Sequence, residues 1–331
     1  MKTASPSRLP RRALLGLGLA LGVLAPFAGC KREGGGGASG KVKLTLNWVA
    51  EPEFGGFYAA REGGAFQRAG LDVEIMTGGA GVPVLQMVAS GQSDFGIVNG
   101  DEVILARARG ADVIPIFTTY QTFPQGIMVH ASRGASTMAD VFGGGTVAIE
   151  PGTPFAAYLK KKYGFDKVKV VPYDGGVARF VVDKDYAQQC FITSEPIAAR
   201  RKGTESKVFL IADEGYNPYS QVVITRKALW KENPERVRAF LRAVREGWRA
   251  YLDDPAPANA VMGKLNTTMD AETFRLAAEA QKPLIETEQT KAKKLGTMTR
   301  ERWEALGKQL LELGIIDKLP PLDEYLVAID E

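Results

Sequence analysis

From residue 42 to residue 211 the chain alternates, twice over, between short apolar runs and stretches of helical periodicity, and this alternation restricts the fold more than any other feature. Residues 42–48 place Val42, Leu44, Leu46 and Trp48 two apart, which is strand spacing. A helix is predicted over 57–66 and ends near Gly70. A strand follows over 71–76, then a helix over 82–89 stopped at Gly91, and a short buried strand at 95–98. A helix over 101–109, closed by Gly110, leads to a strand over 113–119. This order predicts a mostly parallel sheet with helices on both faces. A second such unit opens near Gly126, with strands over 146–149, 168–171, 187–192 and 208–211 and helices over 154–163, 177–182 and 196–202. Thr153-Pro154 reads as a helix start, with Pro at the first helical position. Residues 220–225 lead back, and the last third is helical. Asn233-Pro234-Glu235 opens a helix whose Val237, Phe240, Leu241, Val244, Trp248, Tyr251 and Leu252 share a face. Thr299 caps a last long helix with Trp303, Leu306, Leu310 and Leu313 inward.

The segment before residue 41 is of another kind. Lys2, Arg8, Arg11 and Arg12 precede an apolar run over 13–27, which ends in Ala28-Gly29 and Cys30. Basic start, apolar middle and small-residue end make a secretory signal. Fifteen apolar residues fall short of the ~20 that span a bilayer as a helix. Leu24-Ala25-Pro26-Phe27-Ala28-Gly29-Cys30 resembles a bacterial lipobox, which implies acylation of Cys30, and Arg11-Arg12 faintly resembles a twin-arginine export signal. The Gly-rich stretch 30–40 has the composition of a flexible tether. The expected organisation is therefore a signal peptide over 1–29 and a tether over 30–40. A first lobe then takes 41–125 and 220–331, and a second lobe 126–219.

Charge and cysteine content narrow the functional class. Of 42 Lys and Arg, four precede Cys30, whereas all 38 Asp and Glu follow it, so the exported part is formally neutral. No basic patch argues for nucleic acid. With Cys30 acylated, Cys190 has no disulfide partner, and its apolar neighbours Phe191 and Ile192 mark it as a packed thiol. The single histidine, His130, rules out a His-rich metal site and reads as a strand-end residue.

Several segments, in order over about 41–260, resemble one large family of periplasmic solute-binding proteins, the thiamine-pyrimidine-precursor and nitrate–sulfonate–taurine (NMT/SsuA-like) group of ABC importers. They are Leu44-Thr45-Leu46-Asn47-Trp48, Gly56-Phe57-Tyr58-Ala59-Ala60, Gly70-Leu71-Asp72-Val73, Ser90-Gly91-Gln92-Ser93-Asp94-Phe95-Gly96, Ala106-Arg107-Ala108-Arg109-Gly110 and Asn233-Pro234-Glu235-Arg236-Val237. The resemblance implies an α/β, two-lobed periplasmic binding protein of type II. Each lobe would be a mostly parallel sheet flanked by helices, with two crossover segments and a ligand in the cleft between them. It also implies a monomer without cofactor, held to the membrane by its lipid and partnered by an ABC permease and its ATPase. An enzymatic branch of the group carries a Cys-rich iron-binding run, a Lys and a His. Here the matching places read Asn217-Pro218-Tyr219-Ser220-Gln221 and Val98-Asn99-Gly100-Asp101-Glu102, so an enzyme is not expected.

Ligand-binding residues are expected on loops after strand ends. The first lobe offers Asn47, Trp48, Glu51, Phe54, Asn99, Asp101, Glu102, Tyr120 and Gln125. The second offers Thr153, Phe155, Thr193, Ser194 and Glu195, and the return crossover Tyr216, Asn217 and Tyr219. The set is rich in aromatic, carboxylate and amide groups and poor in Lys and Arg. An anion site wants cationic or N–H donors. A planar nitrogenous ligand wants aromatic faces and carboxylate acceptors, so a heterocycle is favoured over an alkanesulfonate, taurine or nitrate. By resemblance to the pyrimidine-binding branch, Glu195 would accept from a ring amine. Other readings stay open: Glu195 suits a helix N-terminus, Asp101 an N-cap, Trp48 a strand-end core position, and Tyr216 and Tyr219 the packing of the crossover.

Overall fold

Short strands alternate with helices through two successive units. A computed structural model describes residues 41–292 and 294–329; the expected signal segment, Cys30 and the tether lie outside the described residues. The first unit runs β1 (Val42–Thr45), α1 (Gly55–Glu62), α2 (Ala65–Arg68), β2 (Val73–Met76), α3 (Val84–Ala89), β3 (Phe95–Val98), α4 (Gly100–Ala108) and β4 (Val113–Tyr120). The second runs β5 (Gln125–His130), α5 (Met138–Val141), β6 (Thr146–Ala148), α6 (Pro154–Tyr163), β7 (Lys169–Val171), α7 (Ala178–Val182), β8 (Tyr186–Phe191), α8 (Glu195–Arg201) and β9 (Ser206–Leu210). The chain then returns through β10 (Ser220–Arg226) to α9 (Lys227–Glu232), α10 (Pro234–Asp253), α11 (Ala256–Leu265), α12 (Ala271–Ile285), α13 (Glu288–Ala292), α14 (Arg300–Glu312) and α15 (Leu322–Tyr325).

Two five-stranded sheets result, ordered β2-β1-β3-β10-β4 and β7-β6-β8-β5-β9. In each, four strands run parallel and one runs against them: β10 between β3 and β4, and β5 between β8 and β9. The antiparallel strand is in both cases the one by which the chain enters from the other sheet. The passages fall between Tyr120 and Gln125 and between Leu210 and Ser220, and the sheets define the two lobes.

The predicted single helix over 57–66 is two helices, because Gly63-Gly64 intervenes and Gly64 adopts φ +74°, which glycine enters without steric cost. The predicted strand over 42–48 stops at Thr45, as its partner β2 stops at Met76. Helices α11 to α13 fall in the last third, which was expected to be helical but for which no separate bounds were read from the sequence. His130 ends β5 as expected but is buried, its ring stacked on Phe180.

The core of the first lobe explains the Gly-Phe-Tyr-Ala-Ala segment. A Cβ at Gly56 would clash with the Trp248 ring, and one at Gly55 with that of Tyr251, so the pair lets α1 lie directly on α10. Phe57 then meets Trp248 edge-on at 5.8 Å. Helix α1 is thereby fixed, and with it the loop 46–54 that precedes it. No helix among the described residues is long and apolar enough to cross a membrane.

Candidate ligand-binding cleft

The loop after β1 and the loop after β8 meet between the lobes. In the first lobe, Pro52–Phe54 forms a single 3-10 turn between the carboxylates of Glu51 and Glu53 and the start of α1. Gln281 of α12 holds this turn, donating from Nε2 to the Pro52 carbonyl at 2.9 Å and accepting from the Tyr120 hydroxyl at 2.7 Å. The Tyr120 ring meets Phe191 edge-on at 5.8 Å. Phe191 in turn donates its backbone N–H to Glu195 Oε2 at 2.7 Å, and the Tyr173 hydroxyl donates to the other oxygen of Glu195. A continuous path of contacts thus joins the Pro52 turn of one lobe to the Glu195 carboxylate of the other.

Glu53 is buried and Glu51 and Glu195 are partly buried, and all three are raised. Burial, then the charge of Glu195, pushes Glu51 up to about 7 against a hydrogen bond from Trp48. Burial, with Glu51 and Glu195 behind it, holds Glu53 well above the usual carboxylate range, although Gln221 donates to it from Nε2 at 2.9 Å. Burial also raises Glu195, opposed by its bonds from Tyr173 and Phe191. Among the described residues, the side chains that act on these acids are Trp48, Gln221, Tyr173 and the acids themselves, with no Lys or Arg. Nor do the described residues hold a group of three or more His, Cys, Asp or Glu side chains placed to bind a metal ion.

Of the residues expected at a site, this place collects Trp48, Glu51, Tyr120, Thr193 and Glu195. Trp48 is 39% exposed, while Thr193 is buried and hydrogen-bonded to Tyr120. Asn47 lies at the start of the same loop, with a buried Oδ1 that has no protein partner. Phe54 is buried in the core below it.

A second group forms beside the return crossover. The Tyr216 hydroxyl donates to Asp101 at 2.7 Å, and the Ser220 hydroxyl donates to Asn99 at 2.8 Å. Asn99 caps α4, its N–H donating to Glu102 at 2.7 Å. Burial and then Asp101 push Glu102 up to about 7, with Glu150 of the second lobe adding to the effect. Tyr219 belongs to neither group: its hydroxyl accepts from the Thr299 N–H at 2.9 Å, and its ring lies 3.9 Å under the Arg302 guanidinium. Gln125 is the first residue of β5, opposite Phe191. Thr153 precedes α6, donates to the Glu150 carbonyl at 3.0 Å, and lines a largely apolar cavity of about 400 Å³ with Phe165 and Ile315.

Sequence reasoning missed Glu53, Tyr173, Gln221, Gln281 and Arg302. Gln221 is the only non-glycine with positive φ among the described residues, at +52°, and its Oε1 is buried without a partner. Nothing local to Gln221 announces that conformation. Arg302 of α14 donates to Gln121 in one crossover and, from Nε at 2.9 Å, to the Asn217 carbonyl in the other. It therefore ties both crossovers to one helix.

The profile of the family described as NMT1/THI5 like matches residues 51–258, which include Glu51, Glu53 and Glu195. The chain belongs to this family. Riboflavin-binding protein RibY of Chloroflexus aurantiacus is 28% identical over 228 residues, 66% of this chain; the chain spans just under two thirds, 64%, of RibY. The formylaminopyrimidine-binding protein of Halalkalibacterium halodurans is 25% identical over 300 residues, covering 87% of this chain and 88% of that one. The 4-amino-5-hydroxymethyl-2-methylpyrimidine phosphate synthase of Candida albicans is 25% identical over 253 residues, 71% and 74% of the two. Among solved structures, the periplasmic aliphatic sulphonate-binding protein SsuA of Escherichia coli matches with a TM-score of 0.66 at 14% identity, over 87% of this chain and 92% of that one. At that identity the likeness establishes the fold, that of the periplasmic binding proteins.

Proposed function

We propose that this protein is the exported, lipid-anchored binding component of an ABC importer, and that it holds a small planar nitrogenous heterocycle between its lobes. The observation that carries the reading is the cleft itself: Glu51 and Glu53 from one lobe and Glu195 from the other, with exposed Trp48 at its edge. Carboxylates that lack a basic partner accept hydrogen bonds from ring and exocyclic N–H groups. An indole face stacks on a flat ring. Two relatives named for binding riboflavin and formylaminopyrimidine fit the same chemistry. A sulfonate or nitrate would meet repulsion at these acids, although the SsuA likeness keeps a small anion as the second reading.

The same observations favour binding over catalysis. The carboxylates are held by Tyr173, Gln221 and Trp48, an arrangement that presents acceptors, and the proposed partners are a permease and its ATPase. Lobe one would comprise 41–125 and 220–331, lobe two 126–219, with Cys30 as the anchor. Asn47, Asp101 and Tyr216 would line or brace the cleft. Calorimetric titration with an aminopyrimidine, riboflavin, taurine and nitrate tests the ligand. Micromolar or tighter binding of a heterocycle is expected; tight binding of the anions alone overturns it.

A further inference from the structure

Helix α6 carries three lysines in a row, and the fold engages only two of them. Lys161 donates to the Glu312 carbonyl of α14 at 2.9 Å, and Lys162 pairs with Glu214 at 2.7 Å. Lys160 has no hydrogen-bond or ion-pair partner among the described residues. It is exposed, and it lines the cavity of about 400 Å³ that also holds Thr153.

This cavity is apart from the cleft acids: none of Trp48, Glu51, Glu53 and Glu195 lines it. Its walls are Ala156 and Ala157 of α6, Phe165, Val170 of the outermost strand β7, and Ile315 from the segment after α14. Val170 is 43% exposed, a large apolar side chain that the fold itself leaves uncovered. Positions 153, 156, 157 and 160 share one face of a helix, so the cavity is a groove that follows α6. That face rises about 10 Å from Thr153 to Lys160. Glu150, ahead of the helix, lines one end of the groove, and Lys160 lines the other.

We propose that this groove is a second ligand site, for a linear amphiphile with a single anionic head: a medium-chain monocarboxylate whose chain lies along α6 and whose carboxylate pairs with Lys160. The volume is that of a small-molecule site, and its apolar walls favour methylene groups over water. One unpaired ammonium at the end of an apolar groove complements one carboxylate. Glu150 sets the specificity at the far end, because a second carboxylate there would meet a like charge. A dicarboxylate of the same length is therefore disfavoured. The groove and its ligand stand independently of the heterocycle proposed for the cleft.

Calorimetric titration with hexanoate, octanoate and decanoate tests the site, with decanedioate as the comparison. Affinity should rise roughly 3- to 4-fold for each methylene that the groove covers, and decanedioate should bind about 10-fold more weakly than decanoate. Lys160→Glu should weaken decanoate binding by about 10-fold or more. Ala157→Phe, which fills the groove, should abolish it. Both variants should keep the circular dichroism of the wild type and its titration with an aminopyrimidine. Glu150→Gln should bring decanedioate up towards decanoate. Absence of saturable decanoate binding below about 1 mM overturns the proposal, as does binding that survives Lys160→Glu and Ala157→Phe undiminished. Binding that is lost in Glu195→Gln and kept in Ala157→Phe puts the amphiphile in the cleft and overturns the groove as its site. Equal affinity for decanoate and decanedioate overturns the single-headed class.

Discussion

Gly247 and Gly263 both lie inside helices, α10 and α11, yet the structure separates the consequences of changing them. Helix propensity alone makes Gly→Ala favourable at an interior position by about 1 kcal/mol. At Gly263 the new Cβ would stand 3.7 Å from the Phe274 ring, an ordinary contact, so the propensity gain should survive. At Gly247 it would stand 2.5 Å from Ala60 Cβ and 2.6 Å from Ala60 N, and nearer still to the Gly56 carbonyl oxygen. These are backbone or backbone-fixed atoms, so α1 itself must move. Overpacking of this kind costs about 1–3 kcal/mol, and the opposing gain is at most about 1. Gly247→Ala should therefore lower stability by up to about 2 kcal/mol, while Gly263→Ala raises it by about 0.5–1 kcal/mol. Urea denaturation followed by circular dichroism measures both. Because α1 directly follows the Glu51–Glu53 loop, Gly247→Ala should also weaken heterocycle binding, which calorimetry reads. Equal stabilisation by the two substitutions would refute the close approach of α1 and α10.

Trp48→Ala should weaken heterocycle binding by about 1–2 kcal/mol, or roughly 5- to 30-fold, with little change in the denaturation midpoint, since the side chain is partly exposed; titration of the variant decides it. Arg302→Met leaves carbonyls of both crossovers without their donor and should cost about 2–4 kcal/mol, measured by urea denaturation. Burial pushes the Cys190 thiol well above its usual range, so in the Cys30→Ser chain a thiol reagent should react with it only after denaturant is added.

Periodicity carried most of the architecture. Strand runs such as 95–98 and 146–149 and the helix start at Thr153-Pro154 depend on neighbours within one turn, and these appear in β3, β6 and α6. The rule that loops follow strand ends also put Glu51 and Glu195 on loops that the fold brings together. Helices α11 and α12 fall in the last third, which reads as helical without individual bounds, although the buried positions Phe274, Ala277, Ala278, Gln281 and Leu284 of α12 share one face. Glu53 carries no local signal; its burial and the bond from Gln221 distinguish it.

The amino-acid sequence by itself determined the alternating α/β order, the two crossovers and the export-like N-terminal segment, because each rests on spacing and composition over a few tens of residues. Only the tertiary structure decided which acids face one another and which residues hold them. Tyr173 reaches Glu195, Gln221 reaches Glu53 and Arg302 reaches both crossovers across as many as 181 positions of chain. Acidity, likewise, is set by burial and by neighbours in space. The rise at Glu51 comes from burial and from Glu195, which is distant in the chain, so no local stretch of residues contains it.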